Sequence, residues 1–105
     1  MNYSTIIIPA FNEGANIVKT VKNLVDLYGA SIDVIVVVDS KEDTTIHHFD
    51  SISDLPKTFR VIVQTYGGGP ANAIRFGIDQ AKTDCVVVMM ADGSDDVRSI
   101  EELTN

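Results

Sequence analysis

Four continuous apolar segments, rich in β-branched residues, recur along the chain at intervals of roughly 25 residues. They are residues 6–8, 34–38, 61–63 and 86–90. Strands in which apolar residues follow one another without alternation are typical of parallel sheets, because helices cover both faces of such sheets. The pattern therefore predicts four strands of one parallel sheet.

Helical periodicity lies between these strands. In the first interval, apolar residues recur at the spacing that places them on one face of a helix. They are Ile17, Val21, Leu24, Val25 and Tyr28. Asn12 is a favourable N-cap residue and Gly29 a favourable residue just past a last turn, so we expect the first helix to lie between them.

Three further helices are predicted. One fills residues 44–53 and has Asp43 as its cap, and another begins at Pro70, since proline is favoured at the first helical position. The last begins near Asp95. The helix that begins at Pro70 is expected to face the sheet with Ala73, Ile74, Ile78 and Ala81.

This alternation of strand and helix predicts an α/β fold with a doubly wound, mainly parallel sheet. A ligand crevice beside Pro9 and Asp92 requires the strand order to reverse at the first strand, which gives the order 3-2-1-4. The last helical segment stops at Asn105 soon after it begins. We therefore expect residues 1–105 to be part of a longer domain, truncated at the C-terminus; a small complete four-stranded domain is the alternative.

Composition excludes several classes of protein. With 8 basic and 15 acidic side chains the formal charge is −7, and no basic stripe is present, so nucleic acid is not an expected partner. No apolar run approaches the ~18 residues of a membrane span, and the first residues do not resemble a signal peptide. Cys85 is the single cysteine, which excludes an internal disulfide and favours a reducing, cytoplasmic location.

Each predicted strand is followed by a loop that is polar or rich in turn residues. These loops are residues 9–13, 39–43, 66–70 and 91–95. In open α/β sheets, ligands bind beyond the carboxyl ends of the strands, so the four loops together predict a site. The first loop lacks the G-x-G-x-x-G pattern of dinucleotide-binding domains.

Within these loops each candidate residue also has a purely structural interpretation. Asp39 can accept hydrogen bonds from a base or a ribose, or it can form a turn. The glycines at 67–69 can form a phosphate-binding nest or simply a flexible turn. Asp92 is favoured as a ligand of a hard divalent cation, and Asp95 as a helix cap. Phe11 is an aromatic residue in a loop, and turn chemistry alone explains it less well.

The same residues carry a resemblance to a known family. Residues 5–13 (TIIIPAFNE) are similar to the opening motif of glycosyltransferase family 2. Residues 36–45 resemble the second block of the family, and the spacing of Gly69, Ala73 and Gly77 matches its third. Residues 86–96 resemble the strand that leads into its Asp-x-Asp block. Within the family the chain is most similar to the dolichol-phosphate mannosyltransferase-like branch.

This resemblance implies a GT-A fold, of which the chain would be the Rossmann-like half, and a nucleotide-diphosphate sugar, UDP- or GDP-linked, as donor. The implied donor-binding residues are Pro9, Ala10, Phe11, Glu13, Asp39, Gly69 and Asp92. A divalent metal, Mg²⁺ or Mn²⁺, would bind Asp92, with Ser94 as a second oxygen ligand. Two positions depart from the family pattern, since Met90 replaces the first acid of the Asp-x-Asp block and Ser40 stands where a second acid often follows Asp39.

The resulting hypothesis is the donor-binding part of an inverting glycosyltransferase, whose catalytic base and acceptor site lie downstream of residue 105. The branch resemblance suggests a polyprenyl phosphate as acceptor and a full-length protein at the cytoplasmic face of a membrane. The unpartnered edge of the fourth strand predicts self-association, through that edge or through the C-terminal helix.

Two other classes compete with this hypothesis. A nucleotide-binding module without transferase activity is favoured by Met90 and by the short length. A phospho-acceptor signalling domain of flavodoxin-like type would need an acid pair after the first strand, where the chain offers only Glu13.

Overall fold

The computed structural model describes residues 4–90. Strands and helices alternate, as the sequence predicts. The elements are β1 (Ser4–Pro9), α1 (Ala15–Tyr28), β2 (Asp33–Val38), α2 (Thr44–Asp50), β3 (Phe59–Val63), α3 (Pro70–Gln80) and β4 (Cys85–Val88), with a short 3₁₀ turn at Gly29–Ser31. The predicted helix near Asp95 lies outside the described residues.

All four strands are parallel and lie in the order β3-β2-β1-β4, which confirms the predicted order. Ile7 lies beside Ile35 on β2 and beside Val88 on β4, so the apolar runs are in register. The ladder continues past the strands: the Gln64 N–H donates to the Val38 carbonyl at 2.9 Å, and the Met89 N–H donates to the Ile7 carbonyl at 2.9 Å. Among the described residues, β4 pairs with β1 alone.

Both faces of the two central strands, β1 and β2, are buried, which explains why these strands are apolar without interruption. Alternate residues of β1 and β2 point to opposite faces. One face packs against α1 and α2 through a cluster that includes Ile6, Ile8, Ile17, Val34, Val36, Leu24 and Phe49. The opposite face forms a smaller cluster in which Ile7, Ile35 and Val37 pack with Ala73 of α3. None of the helices within residues 4–90 is long and apolar enough to cross a bilayer.

The face that α3 presents to the sheet differs from the predicted one. Ala73 is buried as expected, but Ile78 is 46% exposed and the other buried position of the helix is Gly77. A Cβ at Gly77 would lie 2.6 Å from the Cγ2 atom of Ile7, a side chain with no exposed surface. The helix therefore approaches β1 and β2 closely at a glycine, and the bulkier isoleucine is turned outward.

Candidate nucleotide-binding site at the carboxyl edge of the sheet

A pocket of about 360 Å³ opens at the carboxyl ends of β1 and β2. It is lined by Pro9, Ala10, Phe11, Glu13, Asp39, Gly69, Pro70, Ala73 and Met90. Of the seven residues predicted to bind a donor, six line this pocket, and the seventh, Asp92, lies outside the described residues. The fold thus brings together residues from three predicted loops that are far apart in sequence.

The pocket walls are mainly apolar, and Asp39 and Glu13 are the ionisable side chains that line it within the described part of the chain. Phe11 is 70% exposed, so its ring stands at the wall without being covered by the described residues. Apolar walls with a few polar groups that fix orientation are characteristic of small-molecule sites. A ligand that combines a planar apolar part with hydrogen-bond donors would match this lining.

Asp39 follows β2 directly, and both of its carboxylate oxygens are bonded. Oδ1 accepts a hydrogen bond from Nε2 of Gln64 at 2.7 Å, and Oδ2 accepts one from the N–H of Gly69 at 2.9 Å. The side chain is therefore more than a turn former, because it connects the end of β2 to the glycine-rich turn before α3. Each oxygen retains a further lone pair with which it can accept a bond from a ligand.

Gln64 was missed by sequence reasoning. It lies just after β3 and is 6% exposed, and its side-chain oxygen accepts the Tyr66 N–H at 2.8 Å. Its Nε2 group donates to Asp39 and to the Gly67 carbonyl. The signal in the sequence was weak, since a glutamine after a strand looks like any polar loop residue.

The glycine-rich turn at 67–69 is held by these bonds. Gly69 has a φ of 107°, which L residues with side chains rarely adopt, and its N–H is already bonded to Asp39. The turn is therefore an ordered wall of the pocket, and the amide of Gly69 is directed to Asp39. This arrangement differs from a nest in which all three amides face a phosphate.

Asp43, the second aspartate of the β2–α2 loop, caps α2, as the sequence predicted. Its Oδ1 accepts the Thr45 N–H at 2.7 Å, and both oxygens lie 3.0 Å from the N–H of Asn12. The Thr45 hydroxyl in turn accepts the Glu13 N–H at 3.0 Å. These bonds fasten the β1–α1 loop, which carries Phe11 and Glu13, to the start of α2.

Asn12 does not cap α1, so that prediction was wrong. The N-cap of α1 is Gly14, which makes no side-chain cap bond, and Asn12 lies in the left-handed region at φ 46°. Its side-chain oxygen instead accepts the N–H of Thr44 at 3.1 Å. Asn12 and Gly14 both have a positive φ, and the side-chain amide of Asn12 contacts the start of α2 instead of the start of α1. Gly29, in contrast, ends α1 as predicted.

Tyr66 anchors the glycine-rich turn to α3. Its hydroxyl donates to Oδ2 of Asp79 at 2.5 Å, and its ring packs edge-on against Phe76 with centroids 5.0 Å apart. The hydrogen bond to the Asp79 carboxylate raises the pKa of the Tyr66 phenol. A phenol held in this way stays neutral and remains a donor at physiological pH.

The described residues do not themselves form a metal centre. Within residues 4–90, no three His, Cys, Asp or Glu side chains come together as a possible metal site. Met90 lines the pocket, but its thioether is a soft ligand that does not suit Mg²⁺ or Mn²⁺. The predicted metal ligands, Asp92 and Ser94, lie outside the described residues.

Comparison with known proteins agrees with the resemblance of the motifs. A family model described as Glycosyl transferase family 2 matches residues 5–105. An uncharacterized glycosyltransferase of Haemophilus influenzae is 26% identical over 74 residues, which cover 70% of this chain and 23% of that protein. Glycosyltransferase GlyG of Streptococcus pneumoniae is 26% identical over 88 residues, which cover 84% of this chain and 29% of that protein. The chain thus spans about a quarter of the length of these curated relatives.

Proposed function

The chain belongs to glycosyl transferase family 2, and we propose that it forms the part of a glycosyltransferase that binds a nucleotide-diphosphate sugar. UDP- and GDP-sugars are the proposed donors. The observation that carries this proposal is the pocket at the carboxyl edge of the sheet, where Asp39, Glu13 and Gly69 from different loops line one apolar cavity.

The pocket suggests a role for each wall. Asp39 is proposed to accept hydrogen bonds from the base or ribose through the lone pairs that Gln64 and Gly69 leave available. Phe11, which is exposed at the wall, offers an apolar surface to a planar base. The hydrogen bonds of Asp43 to the N–H groups of Asn12 and Thr45 would hold the β1–α1 loop, and with it Phe11, in place. The donor would therefore bind to a site that is already ordered.

In the whole enzyme the sugar would be transferred with inversion, by in-line attack of an acceptor oxygen on the anomeric carbon. Asp92 and Ser94 are proposed to hold Mg²⁺ or Mn²⁺ through their oxygen atoms, and such a cation would offset negative charge on the leaving diphosphate. The base that takes the proton from the acceptor is proposed to belong to a part of the enzyme beyond residue 105. This chain would contribute donor binding and orientation.

The acceptor is proposed to be a polyprenyl phosphate, on the strength of the branch resemblance alone. Such an acceptor would bring the full-length protein to the cytoplasmic face of a membrane. Self-association through β4 is also part of the proposal, because β4 pairs with one neighbour among the described residues and Val88 is substantially exposed.

A nucleotide-binding module without transferase activity is the second candidate. The observation that favours it is Met90, a pocket residue that stands where the family has an acid. Such a module would bind nucleotide without any dependence on a divalent cation, so one measurement separates the two candidates.

Calorimetric titration of UDP, GDP and their sugars, with and without Mn²⁺, tests the proposal. We expect one nucleotide to bind, and to bind more tightly with Mn²⁺. Asp92→Asn should weaken that metal-dependent binding by about 1–3 kcal/mol, because it removes a charged ligand and keeps the shape. Asp95→Asn is the matched control and should have a smaller effect. Binding with the same affinity in the presence and absence of Mn²⁺ would favour the second candidate. If neither nucleotide binds, both candidate functions are contradicted.

A further inference from the structure

Gln64 occupies a position in which one amide group meets three segments of the chain. Nε2 donates to Asp39 at the end of β2 and to the Gly67 carbonyl, and Oε1 accepts the Tyr66 N–H. With 6% of its surface exposed, the side chain is buried, and both ends of its amide are already bonded within the protein. A buried polar group whose bonding capacity is used in this way holds its neighbours in one arrangement.

The Asp39 carboxylate lies between that amide and the Gly69 N–H. Without Gln64, only the Gly69 N–H would hold the Asp39 carboxylate, through Oδ2. The carboxylate could then rotate towards water. The glycine-rich turn would lose its contact with the end of β3 as well, because Gly67 is bonded to the same Nε2 group. Both changes would alter the wall of the pocket that Asp39 and Gly69 share.

We propose that Gln64 is a positioning residue, which fixes the Asp39 carboxylate and the glycine-rich turn 67–69 as one preformed wall of the nucleotide pocket. This inference rests on the proposed function of the pocket, although the bonds that carry it exist in the free protein. Gln64 would touch no ligand and would act through the oxygen atoms of Asp39. Its contribution would therefore appear in nucleotide affinity and in the order of the turn.

The variant Gln64→Glu gives a readout that a merely structural role would not produce. A glutamate has the shape of glutamine, but when ionised it places a second carboxylate against Oδ1 of Asp39. In the variant, two carboxyl groups in contact would keep one shared proton up to a higher pH than an isolated carboxyl group does. When protonated, the substituted side chain can again donate to Asp39, so acid should restore part of the function in the same folded protein.

The ionisable groups around this position are few in the described residues. Asp39 faces Gln64 from β2, and Glu13 lines the same pocket from the β1–α1 loop. Tyr66 follows in the turn; its hydroxyl is bonded to Asp79, and the Arg75 guanidinium of α3 lies 6.0 Å from the centroid of its ring. Gln80→Glu is the matched control, since Gln80 is an exposed residue at the end of α3 and its substitution adds the same charge away from the pocket.

Nucleotide affinity is measured by calorimetry at two pH values for the unaltered chain, Gln64→Glu and Gln80→Glu. For Gln64→Glu we expect UDP or GDP to bind about tenfold or more weakly than to the control at pH ~8. At pH ~5.5 we expect the affinity to recover partially, again relative to the control. A Gln64→Glu chain that binds like the control at both values would overturn the proposal. Equal weakening at both values, with the circular dichroism of the control, would also overturn it.

Amide hydrogen exchange of Gly69 supplies a second readout that needs no nucleotide. In Gln64→Glu, the protection factor of the Gly69 N–H should fall at pH ~8 and recover at pH ~5.5, because repulsion between the two ionised carboxylates displaces Asp39. Unchanged protection at both pH values would refute the positioning role. If the unaltered chain binds neither nucleotide, the proposed function fails, and the Gly69 exchange alone then decides the role of Gln64.

Discussion

Asp39 and Asp43 lie four residues apart in the loop after β2, and the structure gives them different surroundings. Asp43 is 7% exposed, and its oxygens accept backbone N–H groups of Asn12 and Thr45. Asp39 is only partly buried, lines the pocket, and accepts bonds from Gln64 and Gly69. Asp43 thus joins two parts of the scaffold, whereas Asp39 presents a held carboxylate to a cavity.

This difference shows that the surroundings of a carboxylate determine its role more than its residue type does. The Asp43 carboxylate accepts backbone amides from two segments, so the packing of those segments depends on that side chain. Asp39 is bonded by a side-chain amide and by one turn amide, and lies beside open space. We therefore expect changes at Asp43 to affect stability and changes at Asp39 to affect binding.

The largest effect is expected for Asp43→Ala. Alanine removes the cap of α2 and deprives the Asn12 and Thr45 N–H groups of their carboxylate acceptor, so the free energy of unfolding should fall by about 2–3 kcal/mol. Urea denaturation followed by circular dichroism measures this. Asp50→Ala, an exposed position at the end of the same helix, is the control and should change stability little. Equal losses for the two variants would remove the distinction between Asp43 and an ordinary surface acid.

A smaller effect, on binding instead of stability, is expected for Asp39→Asn. The amide cannot accept on both sides, so UDP or GDP affinity should fall by about 1–3 kcal/mol, while unfolding changes less than in Asp43→Ala. The chain carries a formal charge of −7, so removal of an acid should by itself favour an anionic ligand. Asp33→Asn, at the opposite end of β2, controls for that charge. Tighter binding by Asp39→Asn than by Asp33→Asn would contradict the proposed binding role of Asp39.

Much of this fold was predictable because buried parallel strands leave an unusually clear pattern. The apolar runs predicted the strands, and the need for a crevice beside Pro9 predicted the order that the structure confirms. Asp43 was assigned correctly, since a cap lies directly before its helix and its partner Thr45 is two residues away. Local relations of this kind can be read from the sequence.

Relations between distant segments could not be read in the same way. The bonds of Gln64 join the ends of two strands and a turn, and no spacing in the sequence indicates them. Periodicity assigned Ile78 to the buried face of α3, although the close approach at Gly77 turns it outward. Periodicity shows which residues are apolar, but it does not show how closely a helix approaches the sheet. Here that distance depends on Gly77, which has no side chain to hold α3 away from Ile7.

Asn12 offers the smallest and most local test of the comparison. The structure places its φ at 46° and bonds its side chain to the Thr44 N–H, next to the cap that Asp43 provides. Asn12→Ala loses that bond and also carries a side chain that disfavours the left-handed region, so it should cost about 1–2 kcal/mol of unfolding free energy. Asn12→Gly keeps the backbone conformation and loses only the bond, and should therefore cost less.

Hydrogen exchange then identifies the helix that Asn12 serves. In Asn12→Gly, the Thr44 N–H at the start of α2 should lose protection, because its acceptor is gone. The exchange rates of the first amides of α1, at residues 15–17, should not change, since the N-cap of that helix is Gly14 and Asn12 makes no cap bond to it. Loss of protection at residues 15–17 with Thr44 unchanged would restore the sequence-based assignment of Asn12 to α1. In that case Asp43 and Thr45 alone would attach the β1–α1 loop to α2, and the Asn12 side chain would contribute nothing to that attachment.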